Sequence, residues 1–212
     1  MKVLVIEKAD LTRSRVFELP ARAFFHTGDA WEGADGSITF DVCLTDDPSF
    51  GAQYAKDLVR GIAPPTAEKP LLALVTLKSD GTASLVETSI GAEFPQTDKR
   101  RQGKARDLVI AVHEGERETF GPDGWLVHNW RSGKTDRFRL ADHQIAEEPL
   151  FVPRPGGSDE NDGWVVAPAL NWKAGATEVW LFDVRDMSGG PQAVWQAPRA
   201  LPLGFHGLFR QA

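Results

Sequence analysis

Nine short runs rich in Val, Leu, Ile, Phe and Trp punctuate the chain: KVLVI, GSITFDVCL, LLALVTL, DLVIAV, GWLVHNW, DRFRL, GWVVAPAL, TEVWLFDV and QAVWQ. β-Branched and aromatic residues in short runs bounded by Gly, Asp or Pro predict strands, because such side chains pack well on a pleated, half-buried surface. One stretch has a different period. In SFGAQYAKDLVRGI the apolar residues Phe50, Tyr54, Leu58 and Ile62 recur every four positions ahead of Ala-Pro-Pro. That spacing puts them on one helix face and the prolines stop it, so a short helix is expected between strands. The predicted fold class is all-β.

Three segments share one form, an apolar strand, a polar turn containing glycine and a second strand: LLALVTLKSDGTASLVET, GWLVHNWRSGKTDRFRL and VWLFDVRDMSGGPQAVWQA. Their turn glycines Gly81, Gly133 and Gly189 recur at roughly 50 residues, the size of one four-stranded propeller blade. The repeat predicts a partial β-propeller of about three blades. On pattern alone a β-sandwich with regular hairpins gives the same alternation and stands beside it.

Composition narrows the function. The chain has 212 residues, 42% hydrophobic and 25% charged, enough for one sizeable core and a single domain. No run approaches the roughly 18 apolar residues of a membrane helix, so no transmembrane segment is expected. The formal net charge is −6 with both signs interspersed, which leaves no basic stripe for phosphates and argues against nucleic acid as a partner. The lone cysteine, Cys43, cannot form an internal disulfide. MKVLVIEKAD has too short an apolar run for a signal peptide, and a cytoplasmic location is expected.

The histidines are His26, His113, His128, His143 and His206, and their spacing matches no compact metal signature. Any metal site must therefore be assembled from distant strands. His113, His128 and His143 lie beside charged or turn residues and read as solvated surface histidines. His26 and His206 follow Phe at the edge of apolar runs, in ARAFFHTGDAWE and LGFHGLF. The apolar closing stretch LPLGFHGLFR is expected to be tied into a core, since untethered chain ends lose order.

Four segments resemble, in order, those of the carotenoid cleavage oxygenases, the family that includes lignostilbene dioxygenases and the retinal pigment epithelial membrane protein. FFHTGDAWEGADGSITFDVC resembles its His-x-x-Asn-Ala-Trp/Tyr-Glu segment and the strand after it; GAEFPQTDKRRQGKARDLVIA resembles its Glu-Phe-Pro segment. EEPLFVPRPGGSDENDGWVV is similar to its Glu-Pro-x-Phe-Val-Pro-Arg-Pro segment, and LPLGFHGLFRQA to its closing Phe-His-Gly. One such match is weak; four in the correct order over nearly the whole chain are specific.

The resemblance implies a seven-bladed propeller carrying a non-haem iron(II) held by four histidines from four blades, of which this chain covers the C-terminal half. Residues 1–212 are read as a single portion of that propeller, its last three blades and closing strand. His26 and His206 match the third and fourth iron ligands, and Glu93 and Glu148 match the glutamates that accept the other ring N–H of the ligands; no further catalytic group is implied. Four imidazoles on an octahedral ion leave two positions free, as dioxygen chemistry requires. Asp29 stands where the family has Asn, which is expected to loosen the His26 loop, because an acceptor-only carboxylate replaces an amide. Trp31 and the tryptophans Trp125, Trp130, Trp164, Trp172, Trp180 and Trp195 are read as packing residues.

No residue of this chain matches the first two iron ligands. Two functions follow from the resemblance. The chain is half of a dioxygenase that cleaves a C=C bond of an apolar conjugated substrate, a carotenoid, apocarotenoid or stilbene, with dioxygen, and it works when joined by an N-terminal half-protein. Alternatively it is a non-catalytic remnant or interaction module.

Overall fold

The computed structural model describes residues 1–48, 53, 56–57, 60–62, 69–115 and 121–210. Strands β1 (Lys2–Ile6) and β2 (Ser14–Glu18) form an antiparallel hairpin. β3 (Ala23–Glu32), β4 (Ile38–Thr45), β5 (Leu71–Leu77), β6 (Ala83–Gln96), β7 (Leu108–His113), β8 (Gly124–Asn129) and β9 (Thr135–Arg139) then follow one another as antiparallel neighbours in chain order. β6 belongs to two units, because it pairs with β5 through Ala83–Gly91 and with β7 from Ala92 to Gln96. It is thus the outermost strand of one four-stranded blade and the innermost strand of the next. A third blade has β10 (Gln144–Ala146) and β11 (Leu150–Pro153) side by side on β12 (Gly163–Asn171), then β13 (Ala176–Asp183) and β14 (Ala193–Gln196).

All nine apolar runs fall on strands, and the three repeated segments are the β5–β6, β8–β9 and β13–β14 hairpins at the blade rims. The period of one blade per repeat reflects this construction. The helix expected over SFGAQYAKDLVRGI rests mainly on Phe50, Tyr54 and Leu58, which lie outside the described residues.

Blades stack face to face, and each interface is an apolar cluster. Phe17 of the hairpin packs on Val42, Leu44, Val75 and Leu77 of the first blade. Cys43 and Leu72 meet Ala92, Val109, Ala111 and Leu126 of the second. Val112, Trp125 and Val127 meet Phe151, Val165, Phe182 and Met187 of the third. Inner blades are covered on both faces, so β7 and β8 are buried almost without alternation. β1 alternates strictly and leaves Leu4 and Ile6 exposed.

Two expectations about side chains are corrected. His113 and His128 are buried, at 6% and 4% exposure, because charged sequence neighbours do not decide where a strand residue points. His113 Nδ1 bonds Asp123 Oδ1 at 2.5 Å, and His128 Nδ1 faces Thr135 Oγ1 at 2.9 Å. Trp172 and Trp195 are 44% and 59% exposed and do not pack between blades; Trp195 sits on the outermost strand of the last blade.

Candidate metal and substrate site

The candidate residues lie on the inner strands, in the link between β10 and β11 and on the closing segment. His26 lies on β3, inside the first of two irregularities in the pairing with β4, since Phe24 pairs with Leu44, Thr27 with Val42 and Ala30 with Phe40. Each step of three residues against two is a bulge, which re-aims side chains and sharpens the local twist. A buried ion pair braces this stretch from below. Arg106 Nη2 donates to Asp41 Oδ2 at 2.8 Å and to the Asp29 carbonyl at 3.0 Å. The backbone passes so close that a Cβ on Gly28 would collide with the Asp41 carboxylate, so a larger residue there would have to displace that buried group. Burial pushes the Asp41 carboxyl up, and the Arg106 charge opposes it.

Asp29 does not loosen this loop. Its carboxylate accepts from the Ala30 N–H at 2.9 Å and the Gly103 N–H at 3.1 Å, two bonds that need only an acceptor. Trp31 is half-buried with the Arg106 guanidinium 5.0 Å above its ring, so it contributes a cation–π contact as well as packing.

His26 Nδ1 bonds Glu93 Oε2 at 2.6 Å. Glu93 lies at the start of the inner half of β6, where the pairing with β7 slips between Glu93 and Gln96. Within that bulge Phe94 has φ of 53°, the only non-glycine positive φ among the described residues. For an aromatic residue this conformation is strained. It lays the Phe94 ring on the His26 imidazole, centroids 4.4 Å apart and planes at 31°.

His206 lies on the closing segment 201–210. Its Nδ1 faces Glu148 Oε1 at 3.1 Å, and Glu148 Oε1 also accepts from Gln96 Nε2 at 2.6 Å. The expectation that this segment is tied into a core is corrected: Leu201, Phe205, Leu208 and Phe209 are exposed, and the segment hangs on polar anchors instead.

The two histidines do come together. Their ring centroids are 5.1 Å apart with planes at 74°, although the residues stand near opposite ends of the chain. Each Nδ1 is engaged by a buried carboxylate, which fixes the tautomer and leaves Nε2 as the nitrogen available to a metal. Phe25 and Phe205 flank the pair, and two clefts are walled in part by neighbours of the histidines, one of about 290 Å³ by Phe24, Phe25 and Glu93 and one of about 260 Å³ by Leu150, Phe151 and Gly207. Among the described residues no group of three or more His, Cys, Asp or Glu side chains is placed to hold a metal ion. Sequence reasoning had missed Phe94, Gln96, Arg106 and Glu147. Phe94 and Glu147 are immediate neighbours of predicted site residues, but nothing in their residue type announced their contacts.

A partial propeller in which two imidazoles, one on β3 and one on the closing segment, are each held by a buried glutamate defines a class, an all-β blade protein with a paired-histidine centre. The comparisons give the family. A family model described as "Retinal pigment epithelial membrane protein" matches residues 1–211, and the chain belongs to that family. It is 27% identical to the carotenoid 9,10(9',10')-cleavage dioxygenase of Crocus sativus over 92% of this chain and 38% of the relative. It is 36% identical to resveratrol cleavage oxygenase 1 of Aspergillus fumigatus over 86% of this chain and 40% of the relative. A variant of Synechocystis apocarotenoid oxygenase superposes with a TM-score of 0.84 at 21% identity, covering 100% of this chain and 44% of that one. The lignostilbene dioxygenase of Pseudomonas brassicacearum gives 0.75 at 24% identity, covering 92% and 42%. The fold is therefore the carotenoid oxygenase propeller, and the chain spans about two fifths of the length of the curated relatives it matches. Among the described residues no helix is long and apolar enough to cross a membrane.

Proposed function

We propose that residues 1–212 are a C-terminal portion of a carotenoid-oxygenase propeller and supply two of the four histidines of a non-haem iron(II) site. In the assembled protein that site cleaves a C=C bond of a carotenoid, apocarotenoid or stilbene. The observation that carries this reading is the convergence of His26 and His206, with each Nδ1 held by a glutamate.

The donor set fits a first-row divalent metal: two imidazoles whose second nitrogens are committed to carboxylates make basic, oriented ligands. It fits only in part, because a third and a fourth ligand have to come from an N-terminal half-protein. Glu93 Oε1 is buried without a partner among the described residues, as suits a carboxylate that meets further groups on assembly. Iron(II), when bound, supplies the chemistry of dioxygen. The chain's own part is to orient. Glu93 and Glu148 hold the ring N–H of His26 and His206, and Phe25, Phe94 and Phe205 offer an apolar wall that keeps water from a conjugated chain. No proton transfer by a side chain of this portion is required.

The test is iron content by elemental analysis of the chain, purified alone and with an N-terminal half-protein. Iron retained in the mixture and lost in His206→Ala is expected; iron content unchanged by His206→Ala would overturn the assignment. A non-catalytic remnant is favoured by one observation, the lack of a third ligand among the described residues, and it predicts no iron in either preparation.

A further inference from the structure

The closing segment is held in an unusual way. The hydrogen bonds it makes run from the Leu201 N–H to Thr177 Oγ1, from the Gly204 N–H to Glu147 Oε2, and from the Gly207 N–H and His206 Nδ1 to Glu148. Three of these four end on two successive glutamates. In a regular strand successive side chains point to opposite faces, so both carboxylates could not reach one segment. Here the strand is irregular: Ala146 pairs with Ala169 and Leu150 with Val166, four steps along one chain against three along β12. The extra residue lies in the link between β10 and β11, where Glu147 and Glu148 sit, and it turns both toward residues 204–207.

Glu147 is buried, at 9% exposure, and its backbone is pinned on both sides. Its N–H donates to the Pro168 carbonyl at 2.9 Å, and its carbonyl accepts from Trp125 Nε1 at 2.8 Å. Its Oε2 accepts from the Gly204 N–H at 2.6 Å, while Oε1 is buried with no partner among the described residues. Keeping a carboxylate there is costly, and burial pushes its pKa up. A costly group that spends its one side-chain bond on a glycine amide is placed for that bond. A Cβ on Gly204 would lie 3.1 Å from Oε2, a tight contact that shows how closely the carboxylate approaches this backbone.

We propose that Glu147 is a positioning residue for His206: by holding the Gly204 amide two residues upstream while Glu148 holds Gly207 one residue downstream, it clamps the closing segment on both sides of the imidazole and directs that ring toward His26. The proposal rests on the reading of His206 as a metal ligand, but its first test does not. In the 212-residue chain without metal, hydrogen exchange at Gly204, His206 and Gly207 is compared with exchange at Val109 and Ala111 in the core of β7. Glu147→Ala is expected to speed exchange at the closing segment on the order of tenfold or more, the value of one hydrogen bond to a charged group, and to leave β7 unchanged. Glu147→Gln keeps an acceptor oxygen and is expected to retain protection to within about threefold.

A second measurement titrates Ni²⁺ alone against the same proteins, since imidazole pairs bind it more readily than iron(II). Affinity should fall in Glu147→Ala and recover in Glu147→Gln. Unchanged exchange at Gly204 in Glu147→Ala would overturn the clamp, as would loss of protection spread equally over β7. If exchange responds as expected and His206→Ala leaves iron content unchanged, the clamp stands and the metal assignment falls.

Discussion

The rim strands and the inner strands of the blades are built on opposite terms. β5, β7 and β8 are apolar runs whose side chains vanish into the clusters between blades, and β7 and β8 pair with each other in unbroken register. The inner strands β3 and the second half of β6, with the β10–β11 pair and its link, carry bulges, a strained Phe94, buried carboxylates and the partly buried His26. The first group holds the fold together through burial. The second spends stability on aiming side chains at a common point, which regular pleating would not do. The candidate site depends on irregularities that the packed strands around it hold in place.

Arg106 is the strongest test of this dependence, because it braces the His26 loop from inside the protein. Arg106→Ala leaves Asp41 buried without its partner and is expected to cost about 3–5 kcal/mol by urea unfolding. A cost near zero would show that the inner strands do not lean on this ion pair. Phe94 comes next. Ala and Gly both remove the ring, but only Gly accepts a positive φ freely, so Phe94→Gly is expected to be more stable than Phe94→Ala by about 1 kcal/mol. Equal stabilities would mean that the bulge relaxes rather than holds.

The pH dependence probes the rim. Burial lowers the pKa of His128 below its ordinary value of 6.5. The unfolded chain therefore binds its proton first, and stability is complete above about pH 6.5 and falls as pH drops through the folded-state value. His128→Gln should flatten that part of a stability–pH curve. At lower pH a second loss is expected from Asp123. Burial opposes its ionisation, yet His113, Arg139 and the Gly115 N–H together hold its carboxyl below the usual range. Its contribution is present above the ordinary carboxylate pKa and disappears as pH falls beneath it. The smallest effect belongs to the inner region. The His206 side chain is 61% exposed, and His206→Ala should change unfolding free energy by no more than about 0.5 kcal/mol, so that a loss of iron in this variant would report on the proposed site and not on folding.

Legibility followed the same division. Rim strands such as LLALVTL and TEVWLFDV announced themselves, because burial on both faces demands apolar runs. β2, β3, β10 and β11 did not appear as runs, since a strand that carries His26 or leads into Glu148 alternates poorly and is partly polar. The motifs FFHTGDAWE, EFP, EEP and GFHG compensated through resemblance, and they located His26, Glu93, Glu148 and His206. His113 and His128 were misread because the local charges around them say nothing about Asp123 and Thr135, which approach across a strand pair.

The all-β class, the blade repeat, the family and the choice of His26, Glu93, Glu148 and His206 as candidate site residues were readable in the sequence, because period, turn chemistry and motif order are local properties of the chain. Only the tertiary structure decided that His26 and His206 stand 5.1 Å apart, that Phe94 lies against His26, and that Glu147 and Glu148 face one segment. Those are matters of bulges and of contacts between residues far apart in the chain, where a single inserted residue changes which way a side chain points.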